Sequence, residues 1–290
     1  MAARGNEVIV GYDGSAGSAE ALDWAMCEAR LRRLELTVCH AWTSGYEAAG
    51  GDAGQTALPS AQADAVNLAR EQAAEVLATG VRHAQACDPA MRPRPLLVRG
   101  HPASALCQQC SGSDMLVVGS RGIGGLPGLR VGSVSLQVAA HALAPVTVVR
   151  GRWRPVHGQP RLPVVLGMDG SPGSRAAMEF AVAEAALRDV TLVAVCALCD
   201  AAGVFGTARS IEADFMTAMG KVEADHPEVF VQKRVDQGAP RSALLEAASQ
   251  GQLLVVGARG RRGLREMMLG SVSLAVLHYA TCPVTVVHGG

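Results

Sequence analysis

Two segments of this chain combine glycine-rich turns with hydroxyl side chains in a way suited to holding an anion. GSRGIGGLPGLRVGSVS starts at Gly119 and GARGRRGLREMMLGSVS starts at Gly257. In both, a glycine, two residues, a glycine, nine residues, a glycine and a serine follow one another. These are Gly119, Gly122, Gly132 and Ser133 in the first, and Gly257, Gly260, Gly270 and Ser271 in the second. Glycine lets the backbone approach a ligand and turn its N–H groups toward phosphate oxygens. A helix starting near the third glycine would aim its positive end and unpaired N–H groups at the same anion. Ser133, Ser135, Ser271 and Ser273 add hydroxyl donors. One such loop is weak evidence, because glycines also serve ordinary turns; two loops of identical spacing are stronger. Upstream, Asp13 and Asp169 each end an apolar run and precede Gly-Ser, as VIVGYDGS and VVLGMDGS. An aspartate there can hold a polar ligand, or it can cap the turn before the next helix.

The elements that position these residues repeat as well. VRGHPASAL recurs as VDQGAPRSAL, MLVVGSRG as LLVVGARG, and APVTVV as CPVTVV. From Gly100 onward the two halves align at a constant offset of 138, as from Gly119 to Gly257; at Asp13 and Asp169 the offset is 156. The first half therefore holds 18 extra residues (156 minus 138), assigned to a loop near 45–62. Each copy alternates a buried apolar run with an alanine-rich amphipathic stretch, the pattern of a parallel sheet covered by helices. Strands are expected near Val8–Tyr12, Leu36–Ala41, Arg94–Val98, Met115–Gly119 and Val146–Val149. Ser15 and Ser171 are expected to cap the first helix of each copy, with Pro172 at the first helical position of the second. The domains are read as 1–150 and 164–290. The linker, 151–163, lies in RGRWRPVHGQPRLP, whose four Arg and three Pro break any regular period.

Composition narrows the function classes. Twenty-six basic residues balance 26 acidic ones, so no overall field favours nucleic acid or an anionic membrane. Apolar runs are far shorter than the roughly 20 residues of a bilayer span, and the first strand starts too early to leave space for a signal peptide. A cytoplasmic protein is expected. Eight cysteines are too few for a disulfide scaffold, and the CxxC pairs Cys107/Cys110 and Cys196/Cys199 are read as structural rather than metal-binding. The chain has only two lysines, Lys221 and Lys233, and neither follows a glycine loop as a P-loop requires. No histidine is placed as a general base; His40 is expected to pack or hydrogen-bond locally.

On the glycine spacing, the strand-end aspartate and the closing PVTVV strand, both halves resemble the universal stress protein family, whose nucleotide-binding members carry this glycine pattern. The resemblance implies an α/β fold of two tandem open parallel five-stranded sheets flanked by helices, Rossmann-like and akin to the adenine nucleotide alpha hydrolases. It implies ATP and Mg²⁺ as cofactors. Asp13 and Asp169 would contact ribose, with Gly11 and Gly167 allowing close approach, and adenine would lie against backbone at Ala41 and Ala197. Phosphates would sit on Gly119, Arg121, Gly122, Gly132, Ser133 and Ser135, and on Gly257, Arg259, Gly260, Gly270, Ser271 and Ser273. The metal would be carried by the phosphates, with no direct protein ligand and no catalytic residue. One departure is Gln252, where the family's acidic residue survives in the first copy as Asp114. The expected function is a nucleotide-dependent stress-response regulator that acts through a protein partner. A non-binding interaction protein and a very slow ATPase are the alternatives. Final strands are expected to pair across the copies as an intrachain pseudo-dimer, and a homodimer is compatible with the same sequence.

Overall fold

The computed structural model describes residues 7–44, 60–110, 115–124, 130–151, 153, 161–198, 205–261 and 268–289. Most of the expected insertion, residues 152 and 154–160 of the linker, Asp114 and Cys199 lie outside them. The chain divides into two compact units, 1–138 and 139–290.

The first unit contains β1 (Glu7–Gly11), α1 (Ala16–Arg32), β2 (Glu35–Trp42), α2 (Ser60–Cys87), β3 (Arg94–Arg99), α3 (Pro102–Gln109) and β4 (Met115–Gly119). Its strands run parallel in the order β3-β2-β1-β4. The central strands read as continuous apolar runs because both faces are covered: Val8, Ile9, Val10, Leu116 and Val117 are fully buried. The next helix, α4 (Ser133–His141), runs across the unit boundary.

The second unit holds β5 (Val146–Val149), β6 (Val164–Met168), α5 (Pro172–Arg188), β7 (Leu192–Leu198), α6 (Phe205–Asp225), β8 (Val231–Gln237), α7 (Pro240–Ala248), β9 (Leu253–Gly257), α8 (Ser271–Tyr279) and β10 (Val284–Val287). Its strand order is β5-β10-β9-β6-β7-β8. All neighbours are parallel except β5 and β10, which pair antiparallel through Val146↔Val286, Thr147↔Thr285 and Val148↔Val284. The two closing strands thus meet, as the family resemblance implied. The two threonines are buried, and their hydroxyls lie 2.8 Å apart.

Local chemistry sets the helix starts. Ser15 and Ser171 adopt extended backbone and accept hydrogen bonds from the Ser18 and Ser174 amides, at 3.1 and 3.2 Å. Before each cap the chain leaves its strand through Gly14 and Gly170, at φ +82° and +78°, which glycine adopts without strain. At their far ends α1 and α5 stop on left-handed residues, Arg33 and Asp189, whose amides satisfy the last carbonyls.

Candidate functional site

In the first unit the carboxyl ends of β1, β2 and β4 open into a cavity of about 450 Å³. Its walls include Gly11, Asp13, Ala41, Gly119, Arg121, Gly122, Gly132, Ser133 and Ser135, so every site residue expected in the first copy lies on one concavity. This is the strand-end position at which open parallel sheets bind ligands. Tyr12, Ser18, Cys39, His40, Pro102, Leu106 and Ile123 also line it. The sequence reading did not single out Ser18 or Leu106. Their recurrence as Ser174 and Leu244 was the available signal.

Asp13 organises this end of the sheet. Its Oδ1 accepts the Ser15 amide at 3.0 Å, the cap considered for it from sequence, and its Oδ2 accepts the Ile123 amide from the glycine loop at 3.0 Å. Asp169 repeats both contacts, to the Ser171 amide at 3.0 Å and the Arg261 amide at 2.9 Å. Each aspartate therefore ties the start of a helix to a loop about ninety or more residues away. Burial alone would raise the Asp13 carboxyl; hydrogen bonds from Ser15, the Ile123 amide and Ser18 outweigh it and hold the group below the ordinary carboxylate range.

The motif glycines divide into two kinds. A Cβ on Gly119 would run into the Gly17 carbonyl oxygen, and one on Gly257 would stand 2.6 Å from the Gly173 carbonyl carbon. At Gly122 and Gly260 the added atom would meet Asp13 Oδ2 and Asp169 Oδ2, the latter at 2.5 Å. Gly11 and Gly167 make room for Leu106 and Leu244, each at 3.0 Å from the added atom. The protein's own packing requires glycine at Gly119, Gly122, Gly257 and Gly260, and sets Gly11 and Gly167 tightly against leucine methyls. It does not require glycine at Gly132 and Gly270: an added Cβ would have nothing nearer than 3.6 and 3.5 Å, ordinary contact distances. Both sit at the start of a helix, and no side chain caps α8 at Gly270. The first-turn N–H groups of such a helix have no intrahelical partner.

The four expected serines also divide. Ser133 and Ser271 are exposed. Ser135 and Ser273 are buried, and their hydroxyls donate to the Gly119 and Gly257 carbonyls, each at 2.7 Å. A serine has one proton to donate. The expectation of four hydroxyl donors toward an anion is therefore corrected to two, with Ser135 and Ser273 bracing the strand ends.

Arg121 lines the cavity, and Arg259 holds the same place in the second loop, where its carbonyl accepts the Ser171 hydroxyl at 3.2 Å. The Arg261 guanidinium reaches over the Asp-Gly turn, 3.8 Å from the Cβ position of Gly170, whereas the corresponding loop position of the first copy is the exposed Ile123 and the side chain beside Gly14 is Val76. Ala41 and Ala197 stand on β2 and β7, opposite Val98 and Asp236. His40 donates through Nδ1 to the Tyr12 carbonyl at 2.7 Å, a bond that fixes its tautomer. In the second copy Cys196 replaces it. Burial pushes the Cys39 thiol up to about 12 and the Cys196 thiol up to about 11, so neither is a nucleophile near neutral pH. Gln252 lies at the opposite end of β9, where its amide donates to the Pro163 carbonyl at 3.0 Å.

Among the described residues, no helix is long and apolar enough to cross a membrane. The family model for universal stress proteins matches residues 6–150 and again 161–288. A universal stress protein of Mycolicibacterium smegmatis is 36% identical over 97% of this chain and 96% of its own length. One from Mycobacterium tuberculosis is 33% identical over 96% of each chain. The crystal structure of a universal stress protein from Archaeoglobus fulgidus shares the fold, with a TM-score of 0.73 at 19% identity over 99% of this chain and all of that one. With two matches in tandem and relatives aligned from end to end, the chain belongs to the universal stress protein family, with the stress-response role that the family name carries.

Proposed function

We propose that the chain binds ATP with Mg²⁺ at two sites and that occupancy, rather than rapid turnover, is its output. The observation that carries this reading is the space at Gly132 and Gly270. The protein's own packing does not require glycine there, yet both copies keep it at the start of a helix whose N–H groups lack intrahelical partners. A phosphate group placed in that cradle would meet those N–H groups with the opposite charge. Asp13 and Asp169 each accept two amide hydrogen bonds and retain lone pairs for ribose hydroxyls, since a carboxylate offers about four acceptor sites. Ala41 and Ala197 supply strand-end backbone for adenine. Arg121 and Arg259 add charge beside the phosphates. Mg²⁺ would be held by the phosphates and would neutralise them. Of the groups on the first cavity, Cys39 is held protonated by burial and so is not poised to activate water. Nucleotide occupancy would then bias the choice of protein partner.

A second reading has one observation in its favour. Four of the six motif glycines are accounted for by internal packing, so the loops could persist in a protein that binds no nucleotide and acts only through protein contacts. Thermal melting separates the two. A ligand at a hundredfold excess over its Kd stabilises the folded state by about 2.7 kcal/mol. ATP with Mg²⁺ is expected to raise Tm in the natural protein, and Gly132→Ala with Gly270→Ala is expected to remove the rise while leaving the nucleotide-free Tm nearly unchanged. Absence of any shift at millimolar ATP would favour the second reading.

A further inference from the structure

Away from the cavity, α1 and α2 bring three unlike donor atoms together. Asp23 lies on α1, and His83 and Cys87 lie four residues apart on α2, a spacing that stacks them on one helix face. His83 Nε2 donates to Asp23 Oδ1 at 2.6 Å, and Cys87 Sγ lies 3.8 Å from the same nitrogen. All three ligand atoms fall within 4.8 Å of one another. Asp23 and His83 are half-exposed and Cys87 is exposed, so an ion has a path from solvent. We propose that these residues form a binding site for a borderline-soft divalent cation, with zinc as the expected occupant.

The donor set selects the metal. Calcium and magnesium take oxygen ligands, whereas a thiolate with an imidazole and a carboxylate suits zinc. Zinc bonds of about 2.0–2.3 Å in tetrahedral geometry put neighbouring ligand atoms about 3.4–3.8 Å apart. The sulfur and the nitrogen already stand at that separation. The carboxylate must withdraw from the imidazole by about 1 Å, exchanging one hydrogen bond for two metal bonds. On binding, the thiol proton passes to solvent and the imidazole proton moves from Nε2 to Nδ1, leaving a neutral ring. Water completes the fourth position.

The repeat supplies an internal comparison. The backbone bonds from Asp88 to Ala84 and from His226 to Val222 close the ends of α2 and α6 alike, and both pairs obey the 138-residue offset. His83 and Cys87 therefore correspond to Lys221 and Asp225, and Asp23, by the 156 offset, to Glu179. A charged lysine cannot ligate a metal. One ion per chain is expected, in the first copy. Its position matters mechanically, because α2 also presses on the cavity wall: a Cβ on Gly80 would stand 2.8 Å from the Tyr12 ring. Zinc would pin the helix that supports Tyr12 to the helix that begins at Ser15.

The test uses the full chain, reduced and freed of metal, titrated with zinc alone against a chromophoric chelator and then with cobalt as a spectroscopic probe. One zinc per chain and a thiolate-to-cobalt absorption band are expected. Cys87→Ser and His83→Gln should each weaken zinc binding by at least about tenfold, since even outer-shell changes at metal sites cost that much. Cys107→Ser should bind normally. Zinc should also raise Tm in the natural protein and not in Cys87→Ser or His83→Gln, whose metal-free Tm reports that the fold is kept. Equal zinc affinity in the natural protein and Cys87→Ser overturns the proposal, as does an ion lost in Cys107→Ser instead.

Discussion

Asp13 and Asp169 do at residue scale what the two halves share most closely: each joins a helix cap to a glycine loop through opposite oxygens of one carboxylate. For Asp13 this makes stability depend on acid. Its folded pKa lies below the ordinary value of about 4, so as pH falls the unfolded chain takes up the proton first. The contribution is complete above that value and is lost as pH falls through the folded pKa. Denaturant melts of the natural protein and Asp13→Asn should differ by about 1 kcal/mol near neutral pH, because Asn has a single side-chain oxygen and can accept only one of the Ser15 and Ile123 N–H groups. The pH-dependent part of the gap should close below about pH 4. A gap that persists unchanged to pH 2 would mean that the carboxylate charge contributes nothing.

At the scale of elements, strands and caps were legible because their signals are local: apolar runs gave all five strands of the first copy to within a residue or so, and Ser15 and Ser171 cap as expected. The glycine spacing was legible too, but not its division of labour. Whether a glycine serves a ligand or a neighbour depends on what lies against it, and Gly17 and Asp13 are over a hundred residues from the loop they touch. Buried Glu28 and Glu184, paired with Arg32 and Arg188 one turn on, were likewise hidden, since the same spacing describes an exposed helix face. The loops themselves predict unequal sites. Gly125, Gly128, Arg262, Arg265 and Glu266 lie outside the described residues, but Arg261 stands where the first copy has Ile123. A guanidinium beside phosphate should make the second site about tenfold tighter at low salt and more sensitive to salt. Calorimetry of Gly132→Ala and Gly270→Ala, each leaving one cradle open, measures this. Equal affinities with equal salt dependence would refute it.

For the whole molecule, the informative contact is the one between the closing strands, both of which lie in the second unit. Thr147 and Thr285 share one hydrogen bond in a fully buried place. Thr147→Val should cost about 1–3 kcal/mol in denaturant melts by stranding the other hydroxyl, whereas Thr147→Val with Thr285→Val should be nearly neutral. If the double variant loses as much as two single ones, the pair is not the reason. The register has a further consequence. Under the 138-residue offset Val146 becomes Val284 and Val148 becomes Val286, so the pairs Val146↔Val286 and Val148↔Val284 are one contact read in both directions, with the threonines on its axis. Such self-complementary pairing is how identical subunits associate about a two-fold axis. Here both strands belong to one polypeptide, and the tether fixes their effective concentration. An encounter that dilution would undo between separate chains survives at any cellular abundance, so this contact is insensitive to how much protein a stressed cell makes.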